Sequence, residues 1–158
     1  MISLLKNKHF FILLKLLSLA LLFVSVTDAI AEETTSSSPP QWRFQNPLPT
    51  GNDLNSISFT DPNNGWLIDN MGNILYSRDG GKTWKVRTRR KSVYLRDILF
   101  TDKDNGWIVG GKGLILHTTD AGETWAEEKS GTENWLTSLF FTDKDNGWIV
   151  GGKGLILH

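Results

Sequence analysis

The sequence predicts an all-β fold, a β-propeller of four-stranded antiparallel blades. Three observations lead there: a 41-residue internal repeat, short apolar runs too brief for helices, and Gly, Asn and Asp between the runs. Trp66, Trp107 and Trp148 stand one period apart, as do Phe59, Phe100 and Phe141, and Trp84 and Trp125 keep the same step. TDPNNGWLIDNMGNILY begins at Thr60, and TDKDNGWIVGGKGLILH occurs twice without a change, from Thr101 and from Thr142.

Each unit reads as four strands. In the second unit these are placed at about Leu95 to Phe100, Trp107 to Val109, Leu114 to Thr118 and Thr124 to Glu127. The TDKDNG, GGKG and TDAGE segments between them are turns in which Gly and Asn are expected to supply positive φ. Side chains two apart on a strand share a face. Ile98 with Phe100, and Leu139 with Phe141, therefore give each blade an apolar side to lay on its neighbour.

The units fall near residues 54–94, 95–135 and 136–158, an incomplete propeller over 42–158 with two full blades and most of a third. The third unit stops just before the position equivalent to Thr118, whereas a ring takes four to eight blades. The sequence is accordingly expected to be a fragment of a longer gene, the alternative being several chains that assemble to close the ring. Open blades would expose apolar faces and strand edges, which favours the fragment.

Ahead of the repeats, Met1 to Ala31 has Lys6 and Lys8, an apolar run from Leu16 to Val26 and a small-x-small end at Ala29–Ile30–Ala31. That is the pattern of a secretory signal peptide cleaved after Ala31. The apolar run is shorter than the roughly 18 residues expected of a spanning helix, so an uncleaved anchor is the weaker reading. Residues 32–41, mostly Glu, Thr, Ser and Pro, form a flexible linker with almost nothing to bury. An exported protein in the periplasm or outside the cell follows.

Composition narrows the function. Lys plus Arg and Asp plus Glu number 17 each, so no overall field draws the chain to nucleic acid or anionic lipid. With no cysteine there are no disulfides, thiolate metal sites or thiol nucleophiles. Gly81, Lys82 and Thr83 resemble the end of a phosphate loop, but Tyr76 stands where its leading Gly is needed. Asp102, Asp104 and Gly106 suggest a calcium loop, yet the Gly comes one place early and Gly113 replaces the closing Glu. His117, His158 and Tyr76 fill one repeat position, which marks a packed side chain before a metal ligand. No catalytic residue, metal site or cofactor is expected.

SRDGGKTW and TTDAGETW share the pattern S/T-x-D-x-G-x-T-W. The residues are Ser77, Asp79, Gly81, Thr83 and Trp84 in the first, and Thr118, Asp120, Gly122, Thr124 and Trp125 in the second. The aspartates can accept backbone N–H bonds within the turn, the glycines can adopt a backbone that a side chain would obstruct, and the threonine hydroxyls can tie the turn. The tryptophans then bury area between sheets. This is the Asp-box turn of sialidases and related propellers, and its role is structural. Sialidase chemistry needs an arginine cluster, a Tyr nucleophile and a carboxylate. Arg43 is followed by Phe44 instead of an Ile-Pro pair, and neither Tyr76 nor Tyr94 has a catalytic setting.

Together with FTDPNNGW and FTDKDNGW, these boxes make residues 42–158 resemble the propeller repeats of the photosystem II stability and assembly factor family. The resemblance implies a seven-bladed, non-enzymatic lumenal protein that binds a reaction-centre precursor through an arginine-rich surface. Similar repeats occur in secreted proteins of bacteria without photosystems. The implied partner is thus a photosystem II assembly intermediate in a phototroph, with the thylakoid lumen as location in a cyanobacterium, and an envelope or extracellular protein otherwise. The rival reading is a secreted, sialidase-like glycan-binding or glycan-hydrolysing propeller.

One stretch breaks the repeat. Lys82 to Arg96 carries seven basic residues and no acid, whereas the equivalent Glu123 to Thr137 carries four glutamates and one lysine. The two stretches could pair across blades as ordinary surface charge. The functional alternative is a docking patch of Arg87, Arg89, Arg90 and Arg96, whose forked guanidinium groups suit carboxylates and carbonyls.

Overall fold

A computed structural model describes residues 41–44 and 48–158 of the chain. The signal-peptide segment and nearly all of the linker lie outside the described residues. The chain divides into two units, Met1–Phe44 and Gln45–His158, and the blades lie wholly in the second. In the first, Trp42 and Phe44 are fully exposed.

Blade one comprises β1 (Leu54–Phe59), β2 (Gly65–Asp69), β3 (Asn73–Ser77) and β4 (Lys85–Arg89). Blade two comprises β5 (Leu95–Phe100), β6 (Gly106–Gly110), β7 (Ile115–Thr118) and β8 (Ala126–Glu128). A third sheet contains β9 (Leu136–Phe141), β10 (Gly147–Gly151) and β11 (Ile156–Leu157). Every sheet is antiparallel with its strands in chain order, as expected of propeller blades joined by hairpins.

The fourth strand of blade two starts two residues later than the sequence suggests, because Thr124 and Trp125 are held elsewhere. The Thr124 N–H donates to Asp120 at 2.9 Å, and Trp125 is buried at the blade seam. The turn chemistry also differs in part. No residue of TDKDNG has positive φ; there the Asp102 carboxylate accepts the N–H groups of Asp104 and Asn105, both at 2.8 Å, and closes the loop without a left-handed residue. In the other turns the left-handed positions include Lys112 and Ala121 as well as Gly113 and Gly122.

Seams between blades are built from the repeat's own aromatic residues. Trp66 of blade one stacks on Phe100 of blade two, with centroids 5.5 Å apart and planes at 15°. Phe100 meets the Asp-box Trp125 of its own blade edge-on at 5.9 Å. Ile68, Ile74, Ile98, Ile108 and Leu116 fill the same core. At the next seam Trp107 stacks on Phe141 at 5.4 Å. Seam formation is what buries these rings: Phe100 is 8% exposed, whereas Phe59, which has no blade before it among the described residues, is 44% exposed. Each Phe ring also covers the Gly paired with it across the strands, and a Cβ on Gly106 would come 2.7 Å from the Phe100 ring.

Polar links join the first strands of the three sheets. Asp97 of β5 accepts from the Ser56 hydroxyl of blade one at 2.7 Å, and from the Ser138 hydroxyl and Leu139 N–H of blade three at 2.8 and 3.0 Å. Ser56, Asp97 and Ser138 are one repeat position, so a single carboxylate between two serines clamps three blades. The buried Ser58 hydroxyl accepts the Phe100 N–H at 3.0 Å.

Gly122 has φ +74°, and a Cβ there would lie 2.7 Å from the Trp66 ring of the preceding blade. Gly131 has a similar φ, +73°, with nothing nearby. Replacing each by Ala separates backbone strain from seam packing. Gly131→Ala is expected to cost about 1 kcal/mol, and Gly122→Ala a further 1 to 3 kcal/mol, roughly, from overpacking. Urea unfolding of the purified chain measures the difference, and equal losses would remove the seam contact from the account.

Candidate functional site

The two Asp boxes form the same hydrogen-bonded unit. In the first, Ser77 donates its hydroxyl to Asp79 at 2.8 Å and accepts the Gly81 N–H at 2.9 Å. Thr83 donates its N–H to one oxygen of Asp79 at 2.9 Å and its hydroxyl to the other at 2.6 Å. In the second, Thr118, Asp120, Gly122 and Thr124 repeat these bonds within about 0.1 Å. Each box is tied to the first turn of its blade: Gly80 donates to the Asn63 carbonyl and Ala121 to that of Asp104, both at 2.9 Å. Trp84 meets Phe59 edge-on at 6.0 Å, as Trp125 meets Phe100.

These bonds favour the charged carboxylate. The Thr83 hydroxyl, the Thr83 N–H and the Ser77 hydroxyl hold Asp79 down to about 2 from its ordinary 3.8. Asp120 is lowered likewise, first by the Thr124 hydroxyl. Asp61, Asp102 and Asp143 are lowered by donors within their own turns, led by the Asn64 side chain, the Asn105 N–H and the Asp145 N–H respectively. All five are committed as acceptors to their turns, an arrangement suited to fixing loops.

The two tyrosines and His117 are packed in ways the sequence only partly suggests. Tyr76 lies against Trp66 at 5.7 Å, and Arg78 and Arg87 stand over its ring at 5.5 and 5.1 Å. His117 is stacked flat on Trp107 at 3.8 Å and 8°. Tyr94 is exposed beside Trp135.

The four arginines are not gathered at one point. Arg87 pairs with Glu123 of the next blade, and Arg78 approaches the same carboxylate at 3.7 Å. Arg87 reaches it because β4 carries a bulge: Thr88 faces Ile74 and Val86 faces Leu75, leaving Arg87 as the extra residue. Arg90 donates to the Trp125 carbonyl at 3.0 Å and reaches Glu127 at 3.4 Å. The basic and acidic stretches thus meet across the first seam. Arg89 turns into its own blade and donates Nε–H to Asn73 at 2.7 Å. Asn73 in turn donates to the fully buried Asp69, which also accepts from Asn52 at 2.7 Å and from the Met71 N–H at 2.9 Å. Burial raises the Asp69 pKa, but these donors outweigh it and the net shift is downward. Among the described residues Arg96 alone of the four makes no hydrogen bond or ion pair, and it lies over the Trp135 ring.

The comparisons with known proteins agree with this architecture. A family model described as photosynthesis system II assembly factor YCF48 matches residues 34–129 and again 86–158. The photosystem II stability/assembly factor HCF136 of Cyanidioschyzon merolae is 50% identical over 48 residues, 29% of this chain and 11% of that protein. The photosystem II assembly protein Ycf48 of Thermosynechococcus vestitus is 38% identical over 74 residues, 46% of this chain and 20% of that protein. Among solved structures, YCF48 bound to D1 peptide superposes with a TM-score of 0.63 at 26% identity, covering 74% of this chain and 41% of that one. YCF48 from Cyanidioschyzon merolae gives 0.63 at 27% identity, covering 72% and 38%. The chain therefore spans less than half the length of each of these relatives.

The Asp79 shift fixes the sign of an acid effect. A carboxyl whose folded pKa is depressed contributes stability that is present above its unfolded value of 3.8 and lost as pH falls through about 2. Asp79→Asn should lower stability at neutral pH and flatten its decline between about pH 4 and about pH 2. Urea midpoints across that range provide the check; parallel curves for the two proteins would contradict the role given to the turn.

Proposed function

This chain belongs to the photosynthesis system II assembly factor YCF48 family, and from that premise we propose that it is an exported binding propeller that holds a photosystem II assembly intermediate without catalysing a reaction. The observation that carries this reading is the solved YCF48 bound to D1 peptide, a propeller with which this chain shares its blade architecture over 74% of its length. A protein client in photosystem II assembly follows from that likeness.

Chemistry supports binding over turnover. The carboxylates of the Asp boxes and of the TDxxN turns already accept donors from their own loops, which leaves them poorly placed as bases. Three of the four singled-out arginines bridge the first seam or brace one blade, which leaves them less free for a client. The signal pattern of Met1 to Ala31 supports export, with the thylakoid lumen as destination in a cyanobacterium.

Fluorescence anisotropy with a labelled D1 peptide tests the binding. Saturable binding is expected, with a scrambled peptide of equal composition failing to compete; absence of saturable binding would contradict the proposal. N-terminal sequencing of the protein recovered from its native compartment tests export, with Glu32 as the expected first residue and an intact Met1 as the contrary result.

A further inference from the structure

Each seam between blades has two unlike halves. At the first seam, blade one contributes the Trp66 ring with Ile68, Ile74 and Tyr76 beside it, and blade two contributes Ile98 and Phe100, with Trp125 edge-on and Gly122 leaving room. The second seam repeats the stack with Trp107 on Phe141. Two repeats on from the first half, the third sheet carries Trp148, Val150, Ile156 and His158 at the four matching positions. One repeat back from the second half, blade one carries Ile57, Phe59, Trp84 and Gly81. The two end sheets therefore hold the complementary halves of a seam that the chain already forms twice within itself.

Both of these halves are open among the described residues. Trp148 is 37% exposed where Trp66 is 7%, and Ile57 is 53% exposed where Ile98 is 2%. Leu54, Phe59, Val150 and Ile156 are exposed as well, so side chains that the inner seams bury stand in water at both ends. Phe140, where Ser58 and Leu99 stand, adds another exposed ring to the third sheet. The rings are already set as they are in the inner seams. Trp148 is stacked on His158 at 4.6 Å and 23°, as Trp107 is on His117 at 3.8 Å and 8°. Trp84 stands edge-on to Phe59 at 6.0 Å, as Trp125 does to Phe100 at 5.9 Å.

We propose that two copies of this chain join head to tail, the Trp148 face of the third sheet in one copy packing on the Phe59 face of blade one in the other as a further seam of the same kind. A second copy is the occupant because it brings the matching half in a geometry realised twice already: a stacking ring on one side, and on the other a Phe wall, an edge-on Trp and a glycine gap. The contact joins unlike faces, so it is heterologous and can close into a ring. Each copy has three sheets, and two copies bring twice three, or six, within the roughly four to eight blades of closed propellers. A closed pair removes all four open faces from water at once, which makes it the expected product.

Analytical ultracentrifugation of the purified full chain over a dilution series tests the seam. The unaltered chain should sediment at twice the chain mass and fall to a single copy on dilution. Phe59→Arg and Trp148→Arg each place a charge in every seam between copies, and each variant alone should remain a single copy. An equimolar mixture of the two should restore a pair. There the intact Trp148 face of one variant meets the intact Phe59 face of the other, while the two altered faces repel and stop further growth. That pair has one seam instead of two, so it should dissociate at a higher concentration than the unaltered pair. Ile57→Glu and Ile156→Glu, at more exposed positions of the same two faces, carry the same test should urea midpoints show that a ring variant has lost its fold. Single copies of the unaltered chain at every concentration overturn the proposal. So does association that persists in each variant alone, or a mixture that stays single.

Discussion

The contact of Trp66 with Phe100 is the interaction on which the other features depend. A single four-stranded blade cannot bury its own apolar face, so each sheet needs its neighbour. The repeat supplies that neighbour with a stacking ring on one side and an accepting pocket on the other. Phe100 forms the pocket wall, Trp125 closes it edge-on, and Gly122 leaves the space that the Trp66 ring occupies. The Asp box is therefore a seam device. Its hydrogen bonds fix the turn so that its glycine and tryptophan face the preceding blade.

Much of this was legible in the sequence because the chain states it more than once. The 41-residue spacing located the three sheets, and period two placed Ile98 and Phe100 on the packing face. Asp79 and Asp120 could be read as turn acceptors because Asx geometry is local. The seam partners were not legible, since Trp66 and Gly122 meet through the ring arrangement and no spacing rule links them. Sequence pattern starts the fourth strand two residues early because Thr124 has strand character but is captured by Asp120. Gly and Asn in TDKDNG suggest positive φ, but a carboxylate cap serves there instead. Asp97 carries a readable signal, an acid where Ser56 and Ser138 stand, as does Asp69 where Gly110 and Gly151 stand. Tyr94 and Trp135 also share a phase, but their union with Arg96 depends on a bulge, which composition does not announce.

The same logic divides structure from function among the basic residues. Arg87 and Arg90 occupy the stretch that departs most from the repeat, and they meet Glu123 and Glu127 across the first seam. Exposed pairs of this kind contribute little to stability, about 0 to 1 kcal/mol. They set the first seam apart from the second, where no such pair occurs among the described residues. Arg89 serves the buried Asp69 network, which replaces the Gly-Gly-Lys-Gly turn in blade one. Blade contacts thus come both from residues common to all units, such as the Trp66 and Phe100 positions, and from residues that depart from the repeat, such as Asp97, Arg87 and Arg90.

The most direct test of the Trp66–Phe100 seam is a double-mutant cycle, with Trp66→Leu and Phe100→Leu measured singly and together by urea unfolding. A coupling of about 0.5 to 1.5 kcal/mol beyond the separate losses is expected, the range found for aromatic pairs. Additive losses, within about 0.3 to 0.5 kcal/mol, would show that the two rings do not act on each other and would contradict the seam as the basis of the fold.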